Sequence, residues 1–200
     1  MFKQILFAGA LLMTAFGSNV TVAEETETAI FAGGCFWCVE KDFEHVEGVI
    51  EAVSGYTGGV MPNPTYRNHG QHVEAVKITY NPTKVSYREL VEIFWRSVDP
   101  TDAGGQFCDR GHSYSTAIFA ATAEQKEIAN QSKMKLEAAG TLPAPIVTPV
   151  LEATPWTDAE GYHQDYYKKN PVRYRLYRYG CGRDARIKEL WGDEAHKGIS

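Results

Sequence analysis

The sequence predicts an α+β two-layer sandwich of split βαβ type built on a mixed sheet. Apolar runs of strand length interleave with helical repeats along the chain. The run 73–80 alternates apolar with polar residues, which suits an antiparallel or mixed sheet with one solvated face better than a doubly wound parallel one. Two capping-box signatures, Ser86-Tyr87-Arg88-Glu89 and Thr122-Ala123-Glu124-Gln125, mark helix starts between the runs.

Taken in order, residues 1–23 read as an address. One base, Lys3, precedes an apolar run from Ile5 to Phe16, and small residues lead to Thr21-Val22-Ala23, the pattern of a secretory signal peptide cleaved after Ala23. The run falls short of the roughly 20 apolar residues that span a bilayer, so an uncleaved anchor is the lesser alternative. Residues 24–200 are then a single domain in an exported, periplasmic or secreted protein, where disulfides are permissible. Thr28–Ala32 is a short strand closed by Gly33-Gly34, and Cys35 to Val46 carries Val39, Phe43 and Val46 at helical spacing. Gly55-Tyr56-Thr57-Gly58-Gly59 and Asn63-Pro64-Thr65-Tyr66 read as turn-rich loops carrying tyrosines. The helix opened by Ser86 presents Leu90, Val91, Phe94, Trp95 and Val98 and stops before Pro100. The helix opened by Thr122 runs through Ile128, Met134 and Leu136 to Gly140. Segments 115–121 and 146–152 complete the strands.

Composition bounds the function. The 200 residues are 44% apolar and 22% charged, as in a folded globular protein, and a formal charge of −5 gives no reason to expect nucleic acid as a partner. Four cysteines are too few for a disulfide-dense scaffold and enough for a redox cycle.

Cys35 follows a strand and a Gly-Gly turn and opens a helix, where unpaired N–H groups and the helix dipole favour thiolate over thiol; it is the best nucleophile candidate. Phe36 and Trp37 fit either a core position or an apolar cage beside the sulfur. Cys38 completes a C-x-x-C, readable as a structural disulfide, a redox pair or half a metal site; no second C-x-x-C follows, which argues against zinc. Glu74 shares a strand face with Val76, Ile78 and Tyr80, so a buried face there would make it a carboxyl of raised pKa, able to act as a general acid. A frayed, solvated strand end is the competing reading. The loop 104–114 gathers two glycines, Cys108, Asp109, Arg110 and Tyr114 ahead of an apolar strand, a concentration of chemistry common in functional loops.

Gly34-Cys35-Phe36-Trp37, Gly55-Tyr56-Thr57-Gly58-Gly59, Asn63-Pro64-Thr65-Tyr66, His72-Val73-Glu74, Asp109-Arg110-Gly111 with Tyr114, and His163-Gln164-Asp165-Tyr166 before Lys169-Asn170-Pro171 together closely resemble the A-type peptide methionine sulfoxide reductase family. The resemblance covers 28–171 and implies a ferredoxin-like core with extra loops and a C-terminal segment, and chemistry with no metal or organic cofactor. It implies the S-epimer of methionine sulfoxide, free or in oxidised proteins, as substrate, a thioredoxin-like reductant as partner, and a monomer. Cys35 would attack the sulfoxide sulfur, Glu74 would protonate its oxygen, Phe36 and Trp37 would hold the methyl group, Tyr66 and Tyr114 would polarise the oxygen, and Asp109 would orient the network. Cys35 would become a sulfenic acid, to be condensed by a second thiol into a disulfide. For that resolving cysteine Cys181, between Gly180 and Gly182, is preferred over Cys108 and Cys38 because flexible neighbours could bring it to Cys35. Three departures stand out: the stretch between Tyr66 and His72 is short, Ser113 and Ser115 flank Tyr114, and the tail 179–184 lacks the familiar glycine-rich cysteine pattern.

Two rivals make different demands. A general thiol–disulfide oxidoreductase needs the C-x-x-C but neither Glu74 nor the aromatic pair, and a binding module stapled by two disulfides needs no free thiol at Cys35.

Overall fold

The computed structural model of the chain describes residues 25–200, so the expected signal segment lies outside the described residues. The chain runs β1 (Glu27–Gly33), α1 (Phe36–Glu44), β2 (Val49–Thr57), β3 (Val73–Tyr80), α2 (Tyr87–Trp95), the short β4 (Gly105–Gln106) and β5 (Asp109–Arg110), then β6 (Thr116–Ala120), α3 (Ala123–Ala139), β7 (Val150–Glu152) and β8 (Thr157–Asp158). Three helices close it: α4 (Tyr166–Lys169), α5 (Pro171–Gly180) and α6 (Arg183–Trp191). The main sheet has the order β7-β6-β1-β3-β2-β8. Its centre, β6-β1-β3-β2, is antiparallel throughout, and α1 and α2 fill the two crossovers of a split βαβ, the ferredoxin-like core expected from the sequence. Only β7 pairs in parallel, with β6.

Alternation on the strands builds the core. Phe31 of β1 and Val76, Ile78 and Tyr80 of β3 are fully buried against Phe43 of α1 and Leu90 and Phe94 of α2. Phe31 stacks on Phe94 at 4.9 Å between ring centres and lies 5.3 Å from Phe43. The opposite face is not simply solvated as the alternation suggested. Ile30, Ala32, Val73, Ala75, Ala117 and Phe119 form a second apolar layer there with Trp156.

The Ser86 capping box is complete: Ser86 Oγ accepts from the Glu89 N–H at 3.3 Å and Glu89 Oε2 accepts from the Ser86 N–H at 2.8 Å. At Thr122 only half of it forms. Thr122 Oγ1 accepts from the Gln125 N–H, but Gln125 Oε1 takes the N–H of Ala121 instead of the cap's own. The face of α3 also differs from expectation: Ala129 and Ser132 are buried while Met134 is 59% exposed.

Two regions depart further from the sequence reading. The Gly55–Thr57 part of the first turn-rich loop is the end of the nine-residue strand β2, where Gly55 leaves room for the Trp156 ring and Tyr56 is buried opposite Glu74. The glycines there mark a close ring–backbone approach. The C-terminal helices, which apolar periodicity did not reveal, are tied down by charge: Arg178 of α5 forks onto Asp42 of α1 at 2.8 and 3.1 Å.

Cys108 and Cys181 are joined in a disulfide across 73 residues of sequence, with Cα atoms 4.9 Å apart. Cys181, preferred above as the resolving thiol, is thus bonded here to Cys108, the second candidate, and at the α5–α6 turn beside it Gly182 has φ +71°. Closing a loop of that length removes about 4 kcal/mol of unfolded-chain entropy. Cys181→Ser is expected to lower the unfolding free energy by about 2–4 kcal/mol in non-reducing urea, and the difference from the parent should vanish in dithiothreitol. Identical non-reducing midpoints would show that the bond contributes nothing.

Candidate active site

The site is assembled where β1 meets α1. Gly34 takes φ +80°, a conformation that favours glycine, and a side chain there would run into Gln106. The space beside this glycine is thus filled by Gln106, not kept for a substrate. Cys35 follows as the N-cap of α1, its carbonyl accepting from the N–H groups of Cys38 at 3.1 Å and Val39 at 3.4 Å. On β3, the face of Val76 and Ile78 is the core face, so Glu74 is 2% exposed, and its Oε2 accepts the Phe36 N–H at 3.0 Å. One hydrogen bond therefore joins the peptide after the nucleophile to the carboxyl group.

Around these two groups lies a cleft of about 60 Å³ lined by Cys35, Phe36, Trp37, Tyr66, Glu74, Asp109, Tyr114 and Tyr177. The sequence-predicted nucleophile, acid and substrate-binding residues thus converge on one place. Larger surface clefts exist among the described residues, among them one of about 810 Å³ between α2 and α3 lined by Val85, Ile93 and Lys135, but no cysteine lines it or the other three. Phe36 is buried, its ring 6.5 Å from both Trp37 and Tyr66 and 5.0 Å from His163. Trp37 stacks on Tyr166 at 3.7 Å and donates from Nε1 to His163 Nδ1 at 3.0 Å, which fixes the indole as a wall. Tyr66 and Tyr114 both line the cleft beside Glu74, and burial raises both hydroxyls. The Tyr66 backbone is held by Glu160 at 3.0 Å, and the short loop behind it is pinned by His69 Nε2 to Ser113 Oγ at 2.7 Å and by His112 Nε2 to the Gln71 carbonyl at 2.9 Å. The shortened loop and Ser113, two departures from the family pattern, therefore meet each other.

Tyr177 is a site residue the sequence did not reveal. Its hydroxyl donates to Asp109 Oδ2, and its side chain lines the cleft together with Cys35. A signal existed: Tyr177 stands four residues, about one helical turn, before Cys181, the C-cap of α5, whose N–H donates to the Tyr177 carbonyl at 2.8 Å.

Burial and hydrogen bonds set the charges. Burial raises Glu74 to about 8 against the opposing Phe36 N–H, with the nearby Asp109 charge adding to the rise. It is therefore mostly protonated at neutral pH. Burial also pushes the Cys35 thiol well above the free-cysteine value, and its hydrogen bond to Cys38 adds to that. The helix-start argument expected a lowered value at Cys35; desolvation outweighs the dipole. The lowered thiol is Cys38, brought to about 7 by the hydrogen bond from Cys35 despite burial, with help from the Arg183 and Arg178 charges. Cys35 and Cys38 are both free and buried.

Among the described residues, two groups bring three ligand-type atoms within 4.8 Å of one another: Cys108, Asp109 and Cys181, and Glu40, Glu44 and Asp165. The first has its sulfurs joined to each other. In the second, Glu40 accepts from Ser54 Oγ and the Asp165 N–H, while Lys168 bridges Glu44 and Asp165 at 2.9 and 2.7 Å.

The peptide methionine sulfoxide reductase family profile matches residues 27–195. The chain belongs to that family. A peptide methionine sulfoxide reductase MsrA 2 of Rhizobium meliloti (strain 1021) is 51% identical over 199 residues, covering 98% of each chain. One of Bacillus subtilis (strain 168) is 51% identical over 175 residues, covering 86% of this chain and 99% of its own. Among solved structures, methionine sulfoxide reductase A of Corynebacterium diphtheriae superposes with TM-score 0.66 at 37% identity over 74% of this chain and 76% of its own. The reduced form of Mxr1 from Saccharomyces cerevisiae gives TM-score 0.67 at 26% identity over 76% and 91%. The protein is thus a peptide methionine sulfoxide reductase, an oxidoreductase, and the Cys35–Glu74 cleft is the place where family, fold and chemistry coincide.

Proposed function

We propose that the protein reduces the S-epimer of methionine sulfoxide, free and in oxidised proteins, using Cys35 as nucleophile, Glu74 as general acid and Cys38 as resolving thiol. The observation that carries this reading is the placement of a buried Glu74 with Cys35 on one small cleft, joined through the Phe36 N–H, with burial raising the Glu74 carboxyl to about 8.

Sulfoxide oxygen is a poor leaving group, so attack at sulfur needs a proton delivered to that oxygen. The Cys38 thiolate takes the Cys35 proton along their hydrogen bond, and Cys35 sulfur attacks. Glu74 gives its proton to the oxygen, which passes to Cys35 as methionine departs. This leaves Cys35 sulfenic acid, Cys38 thiol and Glu74 carboxylate. Cys38 sulfur then displaces the hydroxyl, its own proton completing the water, and a Cys35–Cys38 disulfide forms. A thioredoxin-like dithiol restores the pair by exchange, supplying the two protons that return to Cys35 and Glu74. Phe36 and Trp37 receive the methyl group while Tyr66 and Tyr114 donate toward the oxygen, and this three-sided placement around a fixed line of attack makes the site handed. We assign the protein to an extracytoplasmic compartment from its leader.

The decisive experiment offers the protein lacking residues 1–23, with dithiothreitol, each methionine sulfoxide epimer separately. Consumption of the S-epimer alone is the expected result. Equal consumption of both, or of the R-epimer, would overturn the assignment, and insulin reduction without sulfoxide consumption would favour the thiol–disulfide rival.

A further inference from the structure

We propose that Arg183, seconded by Arg178, is a positioning residue for the thiol chemistry: the two guanidinia supply the positive charge against which the Cys38 sulfur is held as thiolate, as base toward Cys35 and as leaving group when the reductant attacks. This inference rests on Cys38 as the resolving thiol. It begins with an imbalance of buried charge. Arg183 is 2% exposed, a rare state for a side chain that keeps its charge at any working pH. Its Nη1 donates to the Gly33 carbonyl at 3.0 Å and its Nη2 to the Ser97 carbonyl at 2.9 Å, which plants the guanidinium behind the Gly33-Gly34-Cys35 turn. Neither acceptor is charged. Its Nε is buried without a hydrogen-bond partner, the closest carboxylate oxygen being Asp42 Oδ2 at 4.0 Å.

Asp42 is already taken. Arg178 forks onto it, and Asp42 is the sole fully buried carboxylate of this cluster, because Asp184, which also receives Arg178, is 55% exposed and shared with His196. Two buried cations therefore face one buried anion. Cys38 lies one helical turn before Asp42 on α1, fully buried, and packs with Tyr166 of α4 and Tyr174 of α5, whose hydroxyl accepts from Arg178 Nη1 at 3.0 Å. The other ionisable groups around it are Cys35 on its own helix, Glu74 of β3, and Tyr177 of α5. Burial raises the tyrosines and Glu74, so none of them supplies the missing negative charge at neutral pH. The Cys38 thiolate does. A thiol of lower pKa also leaves faster in disulfide exchange, which directs the incoming reductant to Cys35, the sulfur facing the cleft.

The test follows the Cys38 thiolate by ultraviolet absorbance against pH in the Cys35→Ser protein, where Cys38 is the free thiol, and adds Arg183→Gln or Arg183→Lys. Glutamine retains donors for the two carbonyls without charge; lysine retains the charge. The expected result is a titration midpoint about one pH unit or more higher with glutamine and close to the parent with lysine, so that the thiolate fraction at pH 7 falls about fivefold in the former alone. An unmoved midpoint in Arg183→Gln, or equal shifts in both variants, would overturn the proposal. The readout does not depend on turnover: if Cys38→Ser cycled normally, the resolving role would fall while this titration still reported on Arg183.

Discussion

Glu74→Gln is expected to lower kcat/KM for the S-sulfoxide by about 10²–10⁴-fold, the range for loss of a general acid, while the protein still folds. Glutamine occupies nearly the same volume, and its carbonyl oxygen can still accept the Phe36 N–H that Glu74 accepts at 3.0 Å. What disappears is a proton. The pH profile of the parent carries the same information with a definite sign. Glu74 acts while protonated, so activity should decline as pH rises through about 8. Cys38 acts as thiolate, so activity should also decline as pH falls through about 7, giving a narrow bell between the two. The alkaline limb should be missing from the residual activity of Glu74→Gln. Unchanged turnover in that variant would remove Glu74 from the mechanism, however well placed it is.

Cys38→Ser is expected to stop the cycle after one reduction of sulfur, and to make that first reduction slower, because serine cannot take the Cys35 proton as the Cys38 thiolate does. Rapid mixing without added reductant should still yield close to one methionine per protein, with Cys35 left as a sulfenic acid that a dimedone-type reagent can trap. Multiple turnovers with a thioredoxin system should fall by at least about 10²-fold, since no other free thiol touches Cys35. Sustained turnover would return the resolving role to the Cys108–Cys181 pair. The serine can still hydrogen-bond Cys35 but cannot form the disulfide, so the variant separates the chemical role of that sulfur from its packing.

Local rules read well where one element decides the outcome. The Ser86 box, the Gly-Gly turn before Cys35 and the two-residue alternation that turns Glu74 inward are each set by a handful of neighbouring residues, and each is found in the fold. What escaped depends on distant partners. Gly55 reads as a turn until Trp156, about a hundred positions away, is laid against it. Helix α5 has no strong apolar repeat because what fastens it is Arg178 on Asp42, an ion pair across 136 residues. Disulfide pairing is equally non-local, so Cys181 could not be assigned to Cys108 from glycine neighbours. Cys35 shows the same limit in electrostatics: the dipole at a helix start is visible in sequence, whereas the burial that reverses its effect is not.

Under the proposed function, the smallness of the cleft has a consequence for which oxidised proteins the site can serve. About 60 Å³ is the share of roughly two water molecules, room for the methyl, sulfur and oxygen at the tip of an oxidised side chain and little else. Nothing of the host's main chain has to be read for that tip to enter. The host must instead hold its damaged residue clear of its own surface, so a sulfoxide sealed inside a well-folded neighbour is out of reach until that neighbour loosens. So small a cleft would trade selectivity for breadth, and on this proposal accessibility of the oxidised side chain, not the order of residues around it, ranks one protein substrate above another.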